Sequence, residues 1–480
     1  MTDVAWLGTV VSVLVVIAVI GVVLALVTDD REPSIVLAWL FLIVMVPLVG
    51  VVAYFFVGRN HRREPRRRVR RAGAPATTAA LASVGAGNGG LGGPAVERPG
   101  GAPSRRLEEL GRREGETEPA LAESIRVYFA GADKFRDLLE DLSLARDYVH
   151  LMYLIWEQDE LTARVTDILL DRLRAGVEVN ILYDWLSSSP YKKHELHRLA
   201  EAGAAVVPCY RRLRQLNYRN HMKMAIVDGR VVYSGGMNMG QEYVDGGSRF
   251  ASWRDTHFRM TGPVVAPYLS LFAATWASNG RSEDLYAGHL PPPAPAPTGV
   301  PVQVLHSSVS TRFSTIRDAF IVALTSARER VWVQTPYFVP DEPLMTAMCV
   351  AAGSGVDVRL MMTGLPDKRV PFYAAHAYFG RVLQAGVRVY EYDAGFLHAK
   401  TVTVDEELVL VGTCNWDIRS LILHDEAMAV LYDGPTARRF ADQYLLDLAG
   451  CHEVTAEQLD ALGPVRSTRN SVCRLMSRLL

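Results

Sequence analysis

Two stretches of this chain carry one polar spacing: His221, Lys223 and Asp228 in the first, His398, Lys400 and Asp405 in the second. Each is followed by a turn signal and an asparagine, Gly235, Gly236 and Asn238 against Gly412, Thr413 and Asn415. Both histidines and both asparagines stand 177 residues apart. A fold that keeps two such stretches equivalent must itself be repeated. The surrounding chain agrees, because residues 133–145, 148–155, 160–175 and 177–183 read as helix, strand, helix and strand, and residues 313–327, 330–335, 342–352 and 356–362 repeat that order. GVEVNILYD answers GVDVRLMMT, and EAGAAVV answers QAGVRVY. Alternating units of this kind make an α/β body, with domains expected at 121–289 and 302–480 and a proline-rich linker at 290–301.

The doubled constellation carries chemistry. Residues two apart on a strand face the same way, so His and Lys of each copy project together, the MAIV and TVTV runs supplying the strand. A single histidine on an apolar strand is ordinarily a satisfied core group. Two copies at identical spacing on equivalent elements point instead to displacement at a phosphodiester. That reaction needs a nucleophile, an acid for the departing alkoxide and donors for the non-bridging oxygens. One imidazole can attack phosphorus while the other protonates the leaving oxygen. Lys223, Lys400, Asn238 and Asn415 can hold the oxygens as metal ions do elsewhere. No carboxylate cluster suggests a magnesium site, so the expectation is no metal and no cofactor.

The net charge of −1 hides a strong asymmetry, since eight arginines fall between residues 59 and 71. Ahead of them, residues 4–27 contain no charged side chain, and after a short polar break residues 35–57 form a second apolar run. Both are long enough to span a bilayer, and paired helices are the natural way to satisfy their backbones there. The expectation is a two-helix transmembrane hairpin over residues 1–58, both termini cytoplasmic by the positive-inside rule. The basic stretch would lie at the height of anionic headgroups. Residues 59–120, rich in Gly, Ala, Pro and Arg, read as a flexible tether. Five scattered cysteines without CxxC spacing exclude a zinc cage or disulfide framework and fit a reducing environment.

The two constellations resemble the paired HKD motifs of the phospholipase D superfamily. WRDTHFRMTGP (253–263), TPYFVPDE (335–342), NWDIRS (415–420) and HDE (424–426) extend the likeness to bacterial cardiolipin synthases over nearly all of the chain except the tether. The resemblance implies two phospholipase D-like α/β sandwich domains facing each other, in a multi-pass protein of the bacterial cell membrane. It makes His221 and His398 the catalytic pair, with His221 favoured as nucleophile through a phosphohistidine intermediate. It also makes Asp255 and Glu426 the carboxylates that orient the two imidazoles. Asp228 and Asp405 belong to the motif, with a local scaffold role as the alternative. The implied reaction moves a phosphatidyl group from one phosphatidylglycerol to another and releases glycerol. Its partners are that lipid and other anionic phospholipids.

With water as acceptor the same intermediate would serve a membrane-bound phospholipase D or nuclease, and the motif leaves that alternative open. A nuclease wants a basic groove with exposed aromatics. RRLRQLNYRN (211–220) hints at one, but its arginines are assigned here to lipid phosphate, and nucleic acid is not an expected partner. The intact pairs of His, Lys and Asn argue against a scaffold with a degenerate site.

Overall fold

The computed structural model describes residues 2–27, 33–54, 101–188, 193–211, 215, 217–281, 285 and 299–476. Contacts divide the chain into an N-terminal unit, residues 1–71, and a body that runs from residue 72 to residue 478.

The N-terminal unit is helical: Thr2–Val27, then Pro33–Met45 and Pro47–Ala53. The single second run expected over 35–57 is thus broken at Val46, where Pro47 has no N–H to continue the helix and disfavours helical backbone in the residue before it. Among the described residues no helix is long and apolar enough to cross a membrane. The side chains described in Thr2–Val27 are only part of that helix, and the arginines between 59 and 71 lie outside the described residues, so the expected spans do not follow from the structure itself.

The body is built on two sheets of matching order. The first has seven strands, in the order Ser124–Tyr128, His257–Thr261, Val231–Gly235, Met224–Val227, Tyr148–Tyr153, Glu178–Asp184 and Ala205–Cys209. The second repeats that order with Val300–Ser307, Glu426–Leu431, Leu408–Gly412, Thr401–Val404, Arg330–Gln334, Asp357–Thr363 and Arg388–Tyr392, and adds Ala120–Ala122 at one edge and Cys451–Val454 at the other. Tyr148–Tyr153 is buried at every position, as expected for a parallel strand covered on both faces. The duplication read from the sequence is therefore seen strand for strand. Corresponding helices, Glu160–Arg174 and Glu342–Gly353, open on Asp159 and Asp341, whose carboxylates accept backbone N–H groups of the first turn. Each is followed by a glycine at positive φ, Gly176 at 88° and Gly355 at 94°, where a side chain would be strained.

The tether expected over 59–120 is shorter than that. Ala102–Glu114 is a helix, packed on the helix Thr315–Ser326 through the fully buried Leu107. Gly111 lies so close to Gln303 that a Cβ there would meet its Nε2 at 2.2 Å, and that amide donates to the carbonyls of Glu108 and Thr117. The Gly- and Arg-rich composition masked this helix, whose apolar stripe is narrow. Ala120–Ala122 pairs with Val300–Val302, so the chain touches the second sheet before entering the first. Of the proline-rich linker expected at 290–301, residues 290–298 lie outside the described residues, and Val300 and Pro301 already open the strand Val300–Ser307.

Candidate active site

Both motifs sit where the halves meet, and short cross-half pairings hold them there. Phe396–Leu397 pairs in parallel with Trp253–Arg254, and Asn220 forms a parallel bridge with Asp425. The two contacts are equivalent: the backbone N–H of His398 donates to Arg254 O at 2.7 Å, and that of His221 to Asp425 O at 2.9 Å. In each case the next residue of the partner half is the acidic one. His398 Nδ1 lies 2.7 Å from Asp255 Oδ2, and His221 Nδ1 lies 2.9 Å from Glu426. Each half therefore supplies an imidazole and the carboxylate for the other half's imidazole. A carboxylate at Nδ1 makes that nitrogen the donor and leaves the lone pair on Nε2, as an attacking or proton-accepting nitrogen requires.

The carboxylates are held differently. Asp255 accepts Thr256 N–H on Oδ1 at 2.7 Å. It fits only because Gly236 has no side chain: a Cβ there would lie 2.0 Å from that oxygen. Glu426, at the matching place, accepts the Thr413 hydroxyl on the same Oε2 that faces His221. The Gly236 and Thr413 difference between the repeats thus follows the lengths of the two acids.

Lys223 and Lys400 are buried, and each ammonium donates to the carbonyl of its own motif's histidine. Burial pushes Lys223 down to about 7, with Lys400 adding to the effect against Glu426, and pushes Lys400 down to about 8 against Asp255 and Glu426. Burial, followed by Lys223, Lys400 and His398, holds His221 well below 6.5; burial and Lys400 outweigh Asp255 to bring His398 to about 4. Burial would raise Asp255, but Lys400 and His398 outweigh it and keep the acid below the usual carboxylate range. The site is thus rich in cationic donors, an arrangement that suits an anion.

The asparagines stand beside this cluster. Asn238 donates to the Tyr243 hydroxyl at 2.6 Å and accepts Ile155 N–H, while Asn415 bonds to Asp417. The carboxylates of Asp228 and Asp405 face the backbone. Each takes a positive φ at the turn after its strand, 51° and 50°. Asp228 accepts the backbone N–H groups of Arg146, Asp147 and Tyr148, and Asp405 those of Arg328, Glu329 and Arg330. They clamp the start of the neighbouring strand, which is the local scaffold role given above as the alternative. Asp405→Ala is accordingly expected to lower unfolding free energy by about 1–3 kcal/mol, because three part-buried backbone N–H groups lose their shared acceptor. The protein that remains folded should keep most of its turnover. Thermal unfolding measured beside activity per folded molecule checks this.

Three neighbours were not singled out from sequence. Tyr243 and Trp253 pack their rings against His398, at 6.2 and 5.5 Å between centroids. His424 lies on the other side, 5.7 Å from the His221 ring, with Nδ1 3.7 Å from Glu426 Oε1. Burial pushes its imidazole down to about 3, so it is neutral. His221, His424 and Glu426 present ligand-type atoms within 4.8 Å of one another, a grouping that the expectation of no metal did not foresee. His424 could have been suspected from its place in HDE; Tyr243 carries no signal of its own in the sequence.

The family described as "Cardiolipin synthase, PLD-like domain" matches residues 138–248 and 320–446, and "Phospholipase D-nuclease N-terminal" matches residues 13–59. The cardiolipin synthase of Geobacillus kaustophilus is 34% identical over 478 residues, covering 98% of this chain and 93% of that one. The major cardiolipin synthase of Bacillus subtilis is 31% identical over 503 residues, covering 98% of each. Among solved structures, the phosphatidylserine synthase of Haemophilus influenzae superposes with a TM-score of 0.60 at 16% identity, over 78% of this chain and 99% of that one, a likeness of fold.

Proposed function

This chain belongs to the cardiolipin synthases with phospholipase D-like domains, and we propose from that premise that it joins two phosphatidylglycerol molecules through a phosphohistidine. The observation that carries the proposal is the exchange of carboxylates between halves, which gives two imidazoles the same tautomer in one cluster with two lysines. His221 Nε2 attacks phosphorus, the bond from phosphorus to the glycerol oxygen breaks, and His398 gives that oxygen its proton. The negative phosphodiester favours this proton on His398, since its charge opposes the burial and the lysines that depress the imidazole. In the second half-reaction the terminal hydroxyl of another phosphatidylglycerol attacks phosphorus, passes its proton to His398 and releases His221. Nothing is oxidised and no water enters, and the products are cardiolipin and glycerol.

The N-terminal unit keeps the enzyme at the bilayer, its two apolar stretches crossing the membrane and the body lying on the cytoplasmic side. This rests on the charge-free run at 4–27, the second run at 35–57 and the arginines that follow. Both lipids then remain in the membrane throughout.

The purified protein in phosphatidylglycerol vesicles is expected to yield cardiolipin and glycerol in equal amounts. Phosphatidic acid as the sole lipid product would overturn the synthase reading in favour of a hydrolase. The pH profile follows from the lysines. They are charged below their lowered values and lose charge above them, so kcat/KM should fall as pH rises through about 7 to about 8. His221, held well below 6.5, stays unprotonated until the pH is distinctly acid. A rate that kept climbing through pH 9 would contradict the assignment of the lysines to the phosphodiester.

A further inference from the structure

The two catalytic imidazoles are backed by different rings. Trp253 stands two residues before Asp255, and His424 two residues before Glu426, so they occupy one position of the two repeats. Each packs on the imidazole that its own half's carboxylate faces, Trp253 on His398 at 5.5 Å and His424 on His221 at 5.7 Å between centroids. An indole has no lone pair to offer a metal, whereas an imidazole has one. The repeat thus places a ligand atom beside His221 that His398 lacks.

Three atoms on the His221 side are already close to a coordination sphere. His221 Nδ1 lies 2.9 Å and His424 Nδ1 3.7 Å from Glu426 Oε1, and the three residues bring one ligand atom each within 4.8 Å of the others. Donors around a tetrahedral zinc ion stand about 3.4 Å apart, so these need to shift only slightly. Both ring nitrogens of His424 are buried, and among the described residues neither has a hydrogen-bond partner. A buried polar atom left in that state is costly, and a bound ion would relieve it. Two imidazoles and one carboxylate with a fourth place open make a donor set suited to zinc and its neighbours. Lys223 and Lys400 oppose any cation by their charge, which leaves out magnesium and calcium, since those take oxygen ligands and gain little from imidazole.

We infer that His221, His424 and Glu426 form an inhibitory site for a divalent cation of the zinc class. The ion takes a lone pair on His221 Nδ1, where Glu426 otherwise accepts the N–H, and the ring proton moves to Nε2. The ring neither gains nor loses a proton, but Nε2 no longer has a lone pair with which to attack phosphorus. The ion sits on the Nδ1 side of the ring, away from the attacking nitrogen, so it lowers kcat more than it raises KM. Binding of the ion stands on these side chains alone, while its effect on turnover rests on the synthase reading above, with His221 as nucleophile.

Full-length protein in neutral detergent, titrated with cobalt(II) chloride, should develop the visible absorption of a four-coordinate ion at one equivalent, and added zinc should bleach it. His424→Phe keeps a ring against His221 and removes the ligand, so its cobalt affinity should fall by ~100-fold or more, beyond the loss caused by changing a residue outside the ligand set. His424→Gln should show the same loss, which decides the matter if the Phe variant folds poorly. Zinc that saturates the wild type should stop labelled phosphatidylglycerol from attaching its lipid to His398→Ala, and a chelator should restore the attachment. The same zinc should leave the rate of cardiolipin formation by His424→Phe where it was. A wild type with no tight cobalt site would overturn the proposal, and so would equal affinity in both variants, which would put the ion on other side chains such as His376 and His452 around Glu391. A site that depends on His424 but leaves attachment and turnover unchanged would overturn the inhibition. Cobalt held through His424 by a protein that makes phosphatidic acid and no cardiolipin would support the site and overturn the synthase reading alone.

Discussion

His221→Ala and His398→Ala are each expected to lower cardiolipin formation by at least ~10³-fold, because one removes the attacking nitrogen and the other the group that protonates the leaving glycerol. The two losses should differ in kind. With His221 gone there is nothing for the phosphatidyl group to bond to, so labelled lipid should leave no label on the protein. With His398 gone His221 still keeps its lone pair, since Glu426 fixes the proton on Nδ1. A slow first half-reaction then remains, and the second, which needs a base for the acceptor hydroxyl, is blocked. Labelled phosphatidylglycerol given to His398→Ala should therefore become bound to protein, in a bond that acid cleaves and alkali spares, as phosphohistidine behaves. Label trapped on His221→Ala and absent from His398→Ala would exchange the two roles. No label on either would remove the covalent intermediate.

The repeat was legible because it reaches down to single residues: His221 and His398, Asn238 and Asn415 keep one spacing, and the sheets keep one strand order. What the sequence hid is long-range. Asp255 and His398 are separated by 143 residues and meet through a pairing of two residues on each side, too short to leave any periodic pattern. Family likeness alone pointed to Asp255 and Glu426. Asp228 and Asp405 were open to two readings, because a repeated spacing within a duplicated strand and turn serves the backbone as readily as it serves a substrate. The helix Ala102–Glu114 was missed for a third reason. Its stability comes from packing Leu107 and Gly111 on the second half, and composition records no such contact.

The carboxylates allow a sharper comparison, for Asp255→Asn should be far more harmful than Glu426→Gln. Asp255 uses both oxygens, one for Thr256 N–H and one for His398 Nδ1. An amide has one oxygen and cannot serve both. If the oxygen stays on Thr256, the NH2 faces His398 and forces Nδ1 to accept, which moves the imidazole proton to Nε2 and removes the lone pair needed to take a proton from the acceptor. If it turns, a buried backbone N–H faces an NH2 group. Glu426 sets both oxygens 2.9 Å from His221 Nδ1, and of the two Oε2 also accepts the Thr413 hydroxyl while Oε1 lies 3.7 Å from His424 Nδ1. Glutamine can keep its oxygen at Oε2 and offer its NH2 to the neutral His424, so the tautomer of His221 survives and only the charge is lost. The expectation is a fall in kcat of about 10²-fold or more for Asp255→Asn and about tenfold less than that for Glu426→Gln, with KM little altered in either. Equal losses would mean that the carboxylates act through their charge alone. A milder Asp255→Asn would mean that His398 does not need its proton on Nδ1, and the acid and base role given to it would have to be withdrawn.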